Sequence, residues 1–363
     1  QVSALPSPTL SFGAFISPVE TRVGPQRAKL SLTQMFPWFG TLEAKKDIAA
    51  LRAEAKYQAF LDARNKLFYK VAAAYYPLYE LNQLQMAEKK NIELLKSYQN
   101  IATAKFENGK GEMADVLRVD IILQEATTNL EILEKKEKPL RSQFNQLLNR
   151  EEKAEITVPD SLELEILPEN FRRDSLLANN PVLNSYNLKI EASEAAEEVA
   201  RKKGFPNFGI GLDYAIVGKR PDVSLTDNGK DILMPMVSVT IPVFRKKVEA
   251  AEKEAQLQQQ NYALQKQEYS NTLIARYDNA LFRMQQQQML IEQYKKQWQT
   301  SRQTLNLLFA AYSNSGKDFE EVLRIQQKIL QYKKLIASAT TQYQIALAEL
   351  DYLTAKTMNH EEK

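Results

Sequence analysis

The chain has 363 residues with 48 basic and 45 acidic side chains, a net charge of +3, no cysteine and one histidine, His360. Balanced charge leaves no electrostatic footprint for nucleic acid, and the absence of cysteine excludes thiolate metal centres and thiol nucleophiles. No run of about 20 apolar residues is present, so no transmembrane helix is expected.

Residues 1–42 read as strands. Pro6, Pro8, Pro18, Pro25 and Pro37 punctuate two runs, Thr9–Ile16 and Ala28–Phe36, in which apolar and small or polar residues alternate. A helix of great length follows, from Leu42 to about Phe106, with Pro77 as a candidate bend. Asn108-Gly109-Lys110-Gly111 breaks it, and a return helix runs to about Arg150 with Pro139 as a second candidate kink. Residues 151–170 form a Glu- and Pro-containing linker in which Ile156-Thr157-Val158 reads as a short extra strand. A short helix over Glu169–Ala178 follows. Asn179-Asn180-Pro181 then opens a helix to about Lys203, since Asn before a first-turn Pro is a start signal.

The next strand pair is cleaner than the first. Phe208, Ile210, Leu212, Tyr214 and Ile216 share one face and Asn207, Gly209, Gly211, Asp213 and Ala215 the other. Its partner runs from Met234 to Ile241. From Phe244 a second long helix carries a seven-residue row of Tyr277, Met284, Ile291, Trp298, Leu305 and Tyr312. Its return arm carries the rows Val322, Ile329, Ile336, Tyr343, Leu350 and Ile325, Tyr332, Ala339, Ala346, Leu353. Rows sustained over this many heptads specify helices packed along helices. At about 1.5 Å per residue, an unbroken helix from Phe244 to Tyr312 would span roughly 100 Å.

The plan occurs twice. A shift of about 205 residues lays Met35-Phe36-Pro37-Trp38-Phe39 on Thr240-Ile241-Pro242-Val243-Phe244, Phe106-Glu107-Asn108 on Tyr312-Ser313-Asn314, and Val116-Leu117-Arg118 on Val322-Leu323-Arg324. So long a repeat is a duplicated half rather than a solenoid unit. The expected segments are a β-hairpin at 1–42, a helical hairpin at 43–150, a linker at 151–180, a helix at 181–203, a second β-hairpin at 204–243, a second helical hairpin at 244–356 and a tail at 357–363. In that plan the helix at 181–203 calls for a twin ahead of residue 5. Four strands cannot close a barrel, so strands with a lipid-facing side require other copies of the chain.

The helix tips gather charge. Glu112 and Asp115 in the first copy, and Asp318, Glu320 and Glu321 in the second, are candidate pore or gate acids. Multiplied by symmetry, each would form a ring favouring cations; the alternative is complementing helix dipoles in a first turn. Arg118 and Arg324, at matched positions, are candidates to pair with these acids across helices. Asn108, Gly109, Lys110, Asn314 and Gly316 form the tip surfaces available to a partner. Phe106 and Tyr312 are read as packed, with a plug in the hairpin tip or a partner contact as the alternative. Trp38, beside a strand–helix junction, suits a membrane-interface aromatic, with core packing as the alternative. Met35, Met234 and Met236 are read as flexible filler, and the glutamine runs 256–260 and 285–288 as solvated helix faces.

Hairpin, long helix, Gly/Asn tip and return helix, twice over, with strand–Pro–helix junctions at Pro37 and Pro242 and the Asn179–Pro181 start, resembles the outer membrane efflux protein family of TolC-like channels. The resemblance covers nearly the whole chain. It implies a mainly α protein with a small β part: antiparallel coiled-coil hairpins continuing a barrel of twelve strands, four from each chain of a homotrimer. It further implies a passive exit duct through the outer membrane lipid and periplasm of a Gram-negative bacterium, working with a periplasmic adaptor and an inner-membrane pump. No catalytic, cofactor or metal residues are expected. The alternative is a soluble coiled-coil scaffold whose strands bury inward.

Overall fold

The computed structural model describes residues 3–164, 173–222, 224–315 and 319–355. Its elements are β1 (Thr9–Val19), β2 (Gln26–Phe36), α1 (Thr41–Glu107), α2 (Met113–Leu147), α3 (Arg173–Ala178), α4 (Pro181–Lys202), β3 (Asn207–Val217), β4 (Ile232–Thr240), α5 (Lys246–Ser315) and α6 (Phe319–Leu353). The duplication is visible in the lengths. The two return helices have 35 residues each, and the two long helices 67 and 70. Pro77 and Pro139 both lie inside uninterrupted helices. Two compact units result: Gln1–Phe60 with Pro181–Tyr269, and Leu61–Asn180 with Ser270–Lys363.

The first unit carries one antiparallel sheet in the order β1-β2-β3-β4, so the hairpins join through β2 and β3, from Phe36↔Phe208 to Gln26↔Val217. Leu32, Leu212 and Pro235 are cross-strand partners in one row, as are Leu30, Tyr214 and Leu233 in the next. These rows place the bulky side chains on a single face, and that face is bare. Phe12 is 70% exposed, Ile210 60% and Val237 80%, whereas Asp213 on the opposite face is 2% exposed. Burial has been inverted relative to a water-soluble sheet, in which the apolar face turns inward. Among the described residues β1 and β4 leave their outer edges unpaired. Pro18 and Pro235 sit in those two strands, where a missing N–H costs no internal ladder bond.

The polar face carries Lys29, Ser31, Asp213 and Ser238, with Lys29 and Asp213 forming an ion pair. Met35, Met234 and Met236 also lie on this face, opposite Gly209, Asp213 and Gly211. The three therefore share one face, which their reading as flexible filler did not anticipate. A Cβ on Gly209 would stand 2.3 Å from Ser238 Oγ and 2.6 Å from Met35 Sδ; glycine here makes room for neighbours from both flanking strands. In the helical part of this unit α4 packs through Leu183, Ala192, Val199 and Ala200, and Ser185 Oγ donates to Ala55 O at 3.1 Å. Gln256 and Gln259 donate to Glu197 and Glu194, so part of that glutamine run is tied to α4 rather than solvated.

In the second unit the heptad rows are core. Tyr277, Met284, Ile291 and Tyr312 of α5 are at most 1% exposed, as are Val322, Tyr343, Leu350 and Leu353 of α6. Ile156 and Val158 pack on Ala74, Leu78 and Phe144 but form no strand. Their segment lies against α1 and α2, whose backbone groups are already bonded along each helix, so side chains hold it instead. Tyr75 donates to Thr157 O, and Asn145 to Glu152 O and Ala154 O. Among the described residues no helix is long and apolar enough to cross a membrane.

Candidate functional site: the helical tip and the bare sheet face

The first tip is built by backbone geometry. Gly109 adopts φ +67°, its N–H bonds Phe106 O and the next N–H bonds Lys105 O. This double closure of the last turn places a left-handed residue just past the helix, where glycine costs least. Asn108 Nδ2 adds a bond to Ala104 O. Asn108, Gly109 and Lys110 are all exposed. Of the second tip, Asn314 falls in the last turn of α5, and Gly316 and Asp318 lie outside the described residues.

Beneath the turns sits a four-helix core of Leu95, Tyr98 and Ala102 from α1, Val119 and Ala126 from α2, Tyr312 from α5, and Phe319, Val322 and Leu323 from α6. Tyr312 stacks on Phe319 at 4.5 Å between ring centroids. Lys105 Nζ lies 4.1 Å above the Tyr312 ring and donates to Tyr312 O at 2.6 Å. One ammonium therefore caps the end of the opposite long helix, where a cation complements the exposed carbonyls. Phe106, expected to pack like its repeat partner, is instead 44% exposed; the core places at this level are filled by Tyr312 and Phe319.

The tip acids separate into different roles. Asp115 is buried and Arg118 lies 3.3 Å from it; the same guanidinium reaches Glu320 of α6 at 3.3 Å. Burial pushes the Asp115 carboxyl above its usual range, a rise that Arg118 opposes and Glu112 and Glu320 reinforce. Among the described residues Arg324 pairs with Glu321 in its own helix, whereas Arg118 reaches Glu320 across helices. Glu112 occupies the position before α2 without a side-chain capping bond. Asp120 accepts from Gln99 and Gln124. Lys105 was not singled out from sequence; nothing in its local spacing signals a contact with a residue 207 positions away.

Further from the tip, polar contacts bind α6 to both long helices. Glu88, 1% exposed, pairs with Lys334 at 2.5 Å through an ionic contact whose angles miss hydrogen-bond geometry. Gln326 Nε2 donates to Asn91 Oδ1 at 3.5 Å. Arg276 and Arg283 both hold Glu349. In the first unit, Trp38 stacks on Phe205 and Phe208 with centroids 5.1 and 5.9 Å apart, and its backbone N–H donates to Asn207 Oδ1. The packed role and a place beside the bare face coincide in this residue.

An open sheet with lipid-compatible side chains on one face and ionic groups on the other, joined to paired long helices, defines a membrane channel subunit. Comparison with known proteins agrees. The family model described as outer membrane efflux protein matches residues 173–356, and the chain belongs to that family. It is an outer-membrane channel protein of a Gram-negative bacterium. Comparison with curated proteins finds no match. Among solved structures, the outer membrane protein VceC of Vibrio cholerae is 16% identical with a TM-score of 0.76, covering 97% of this chain and 87% of that one. The MtrE outer membrane channel of Neisseria gonorrhoeae is 17% identical at a TM-score of 0.73, covering 97% of this chain and 79% of that one. The CmeC outer membrane channel of Campylobacter jejuni is 16% identical at 0.68, covering 98% and 79%.

Proposed function

We propose that three copies of this chain close their sheets into one twelve-stranded barrel and act together as a passive exit duct, with no catalysis of their own. The observation that carries this reading is the sheet: an apolar face left bare and two edges left unpaired. Water disfavours the first, and unpaired ladder groups make the second a template for another strand. Adding β4 of one copy to β1 of the next pairs the edges once the ring closes, and lipid then covers the outward apolar face. The hairpins at 1–42 and 204–243 form the barrel, and the helical hairpins at 43–150 and 244–356 extend it through the periplasm. Asn108, Gly109, Lys110, Asn314 and Gly316 would meet a periplasmic adaptor carrying cargo from an inner-membrane pump. Trp38 would sit at the membrane interface.

The tip acids Glu112, Asp115, Asp318, Glu320 and Glu321, with Arg118 and Arg324, would set the charge of the narrow end. Reversing Asp318 to Lys should shift the single-channel reversal potential in a salt gradient; an unchanged potential removes Asp318 from the pore. The duct itself is tested by mass in detergent. A trimer extracted only with detergent, migrating differently before and after heating, supports it. A monodisperse monomer in plain buffer would return the protein to the scaffold class.

A further inference from the structure

Between α1, α5 and α6 of the second unit lies a pocket of about 400 Å³ whose lining includes Met86, Lys90, Lys295, Trp298, Lys333 and Ile336. Its charge is one-sided. Among the described residues, Lys90, Lys295 and Lys333 make no ion pair, and the nearby acid Glu88 is already taken by Lys334. Lys333 is half-buried, and burial, followed by the fields of Lys90 and Arg302, depresses its ammonium below the usual range. Arg302 lies 4.9 Å over the Trp298 ring. The indole N–H of Trp298 is shut from water and meets no acceptor among the described residues. Half-buried Lys333 without a counter-charge is a costly arrangement, and the neighbouring amines add charge of the same sign. One ligand chemistry matches this lining: an anionic group among the amines, attached to an apolar body against Met86, Trp298 and Ile336.

We propose that this pocket is a binding site for an anionic amphiphile, a sulfonate or carboxylate on an aromatic or aliphatic frame, taken up once per chain. The volume falls within the range of small-molecule sites, and the mixture of apolar wall with few polar groups is their usual make-up. Lys90 and Lys295 are exposed and form the rim, while half-buried Lys333 supplies the inner charge.

The test uses the assembled protein in a neutral detergent and 2-naphthalenesulfonate as probe, with calorimetry as the readout. One probe per chain is expected, with clearly weaker binding of neutral 2-naphthalenemethanol and of inorganic sulfate. Lys333→Met should weaken the probe by at least about tenfold, the scale of one charge-assisted bond. The rim pair Lys90→Gln with Lys295→Gln should do likewise without touching the helix core, which keeps the test open if Lys333→Met fails to assemble. Mass spectrometry after treatment with sulfosuccinimidyl acetate should show all three lysines reactive in the assembly and protected by the probe. Equal binding of the neutral analogue, binding indifferent to these variants, or lysines already unreactive without probe because a neighbouring chain seals the pocket would each overturn the proposal.

Discussion

Arg118 of α2 stands 3.3 Å from Glu320 of α6, and the same guanidinium holds buried Asp115 one turn earlier in its own helix. One side chain thus ties the first turns of the two return helices together. Its partners are unequal, because Glu320 is well exposed and Asp115 is not. Exposed pairs contribute about 0–1 kcal/mol, whereas stranding a buried carboxylate costs about 1–3 kcal/mol or more. Glu320→Gln should therefore leave the thermal midpoint nearly unchanged, while Arg118→Met lowers it and raises open-channel noise in bilayer recordings. Equal effects of the two substitutions would show that the cross-helix contact, not the buried one, dominates.

The Asp115 carboxyl gives the tip a pH dependence with a definite sign. Its folded pKa is raised, chiefly by burial, so the folded protein binds the proton more tightly than the unfolded chain. This contribution to stability is fully present below the unfolded value and is lost as pH rises through the folded one. Moving from pH 7 towards 4 should thus relieve a penalty at this site. Asp115→Asn should remove that component, so that the change in thermal midpoint on going from pH 7 to pH 4.5 is less favourable in the variant than in the parent. A difference unchanged by the substitution would place the titrating group elsewhere.

The two faces of the sheet should respond oppositely to one charge. Val237, 80% exposed on the apolar face and paired with Ile210, would place a lysine against lipid. That costs about 2–4 kcal/mol near the bilayer midplane. Ser11, paired with Ser31 on the polar face, would place it in water. Val237→Lys should sharply reduce the heat-sensitive assembled band in outer membranes, and Ser11→Lys should not. Similar losses would argue against a lipid-facing side.

How much of this was legible beforehand depended on the range of each interaction. Alternation in Phe208–Ile216 specified a strand and its faces, because period two is a local property. The rows through Tyr277 and Val322 specified buried seams for the same reason, and Gly109 marked the first turn. Pairing of β2 with β3 across 170 residues was not written in either strand. Nor was the reach of Lys105 to Tyr312, which needs two long helices to end at the same level. Matched positions did not guarantee matched roles. Arg118 finds a neighbour's acid while Arg324 finds its own, and Phe106 lies exposed where Tyr312 is enclosed. Ile156-Thr157-Val158 has strand composition but no strand beside it. Propensity there yields to surroundings made of helices.

The pair Glu88 and Lys334 offers the most direct measure of what binds α1 to α6. Glu88 is 1% exposed and Lys334 lies 2.5 Å away. Lys334→Met leaves the carboxylate buried without its cation, and removal of one partner from a buried pair costs about 3–5 kcal/mol. Glu88→Gln leaves a lysine that is 32% exposed and still able to meet solvent, so its cost should be smaller. Combining the two removes both charges together and should recover most of the loss from Lys334→Met, giving a coupling energy of about 2 kcal/mol or more in a double-mutant cycle. The checking measurement is the thermal midpoint of the assembled protein in detergent for all four forms. Strict additivity would mean that Glu88 is solvated in the working channel and that apolar burial along α6, led by Val322, Tyr343 and Leu350, holds the helices together without it.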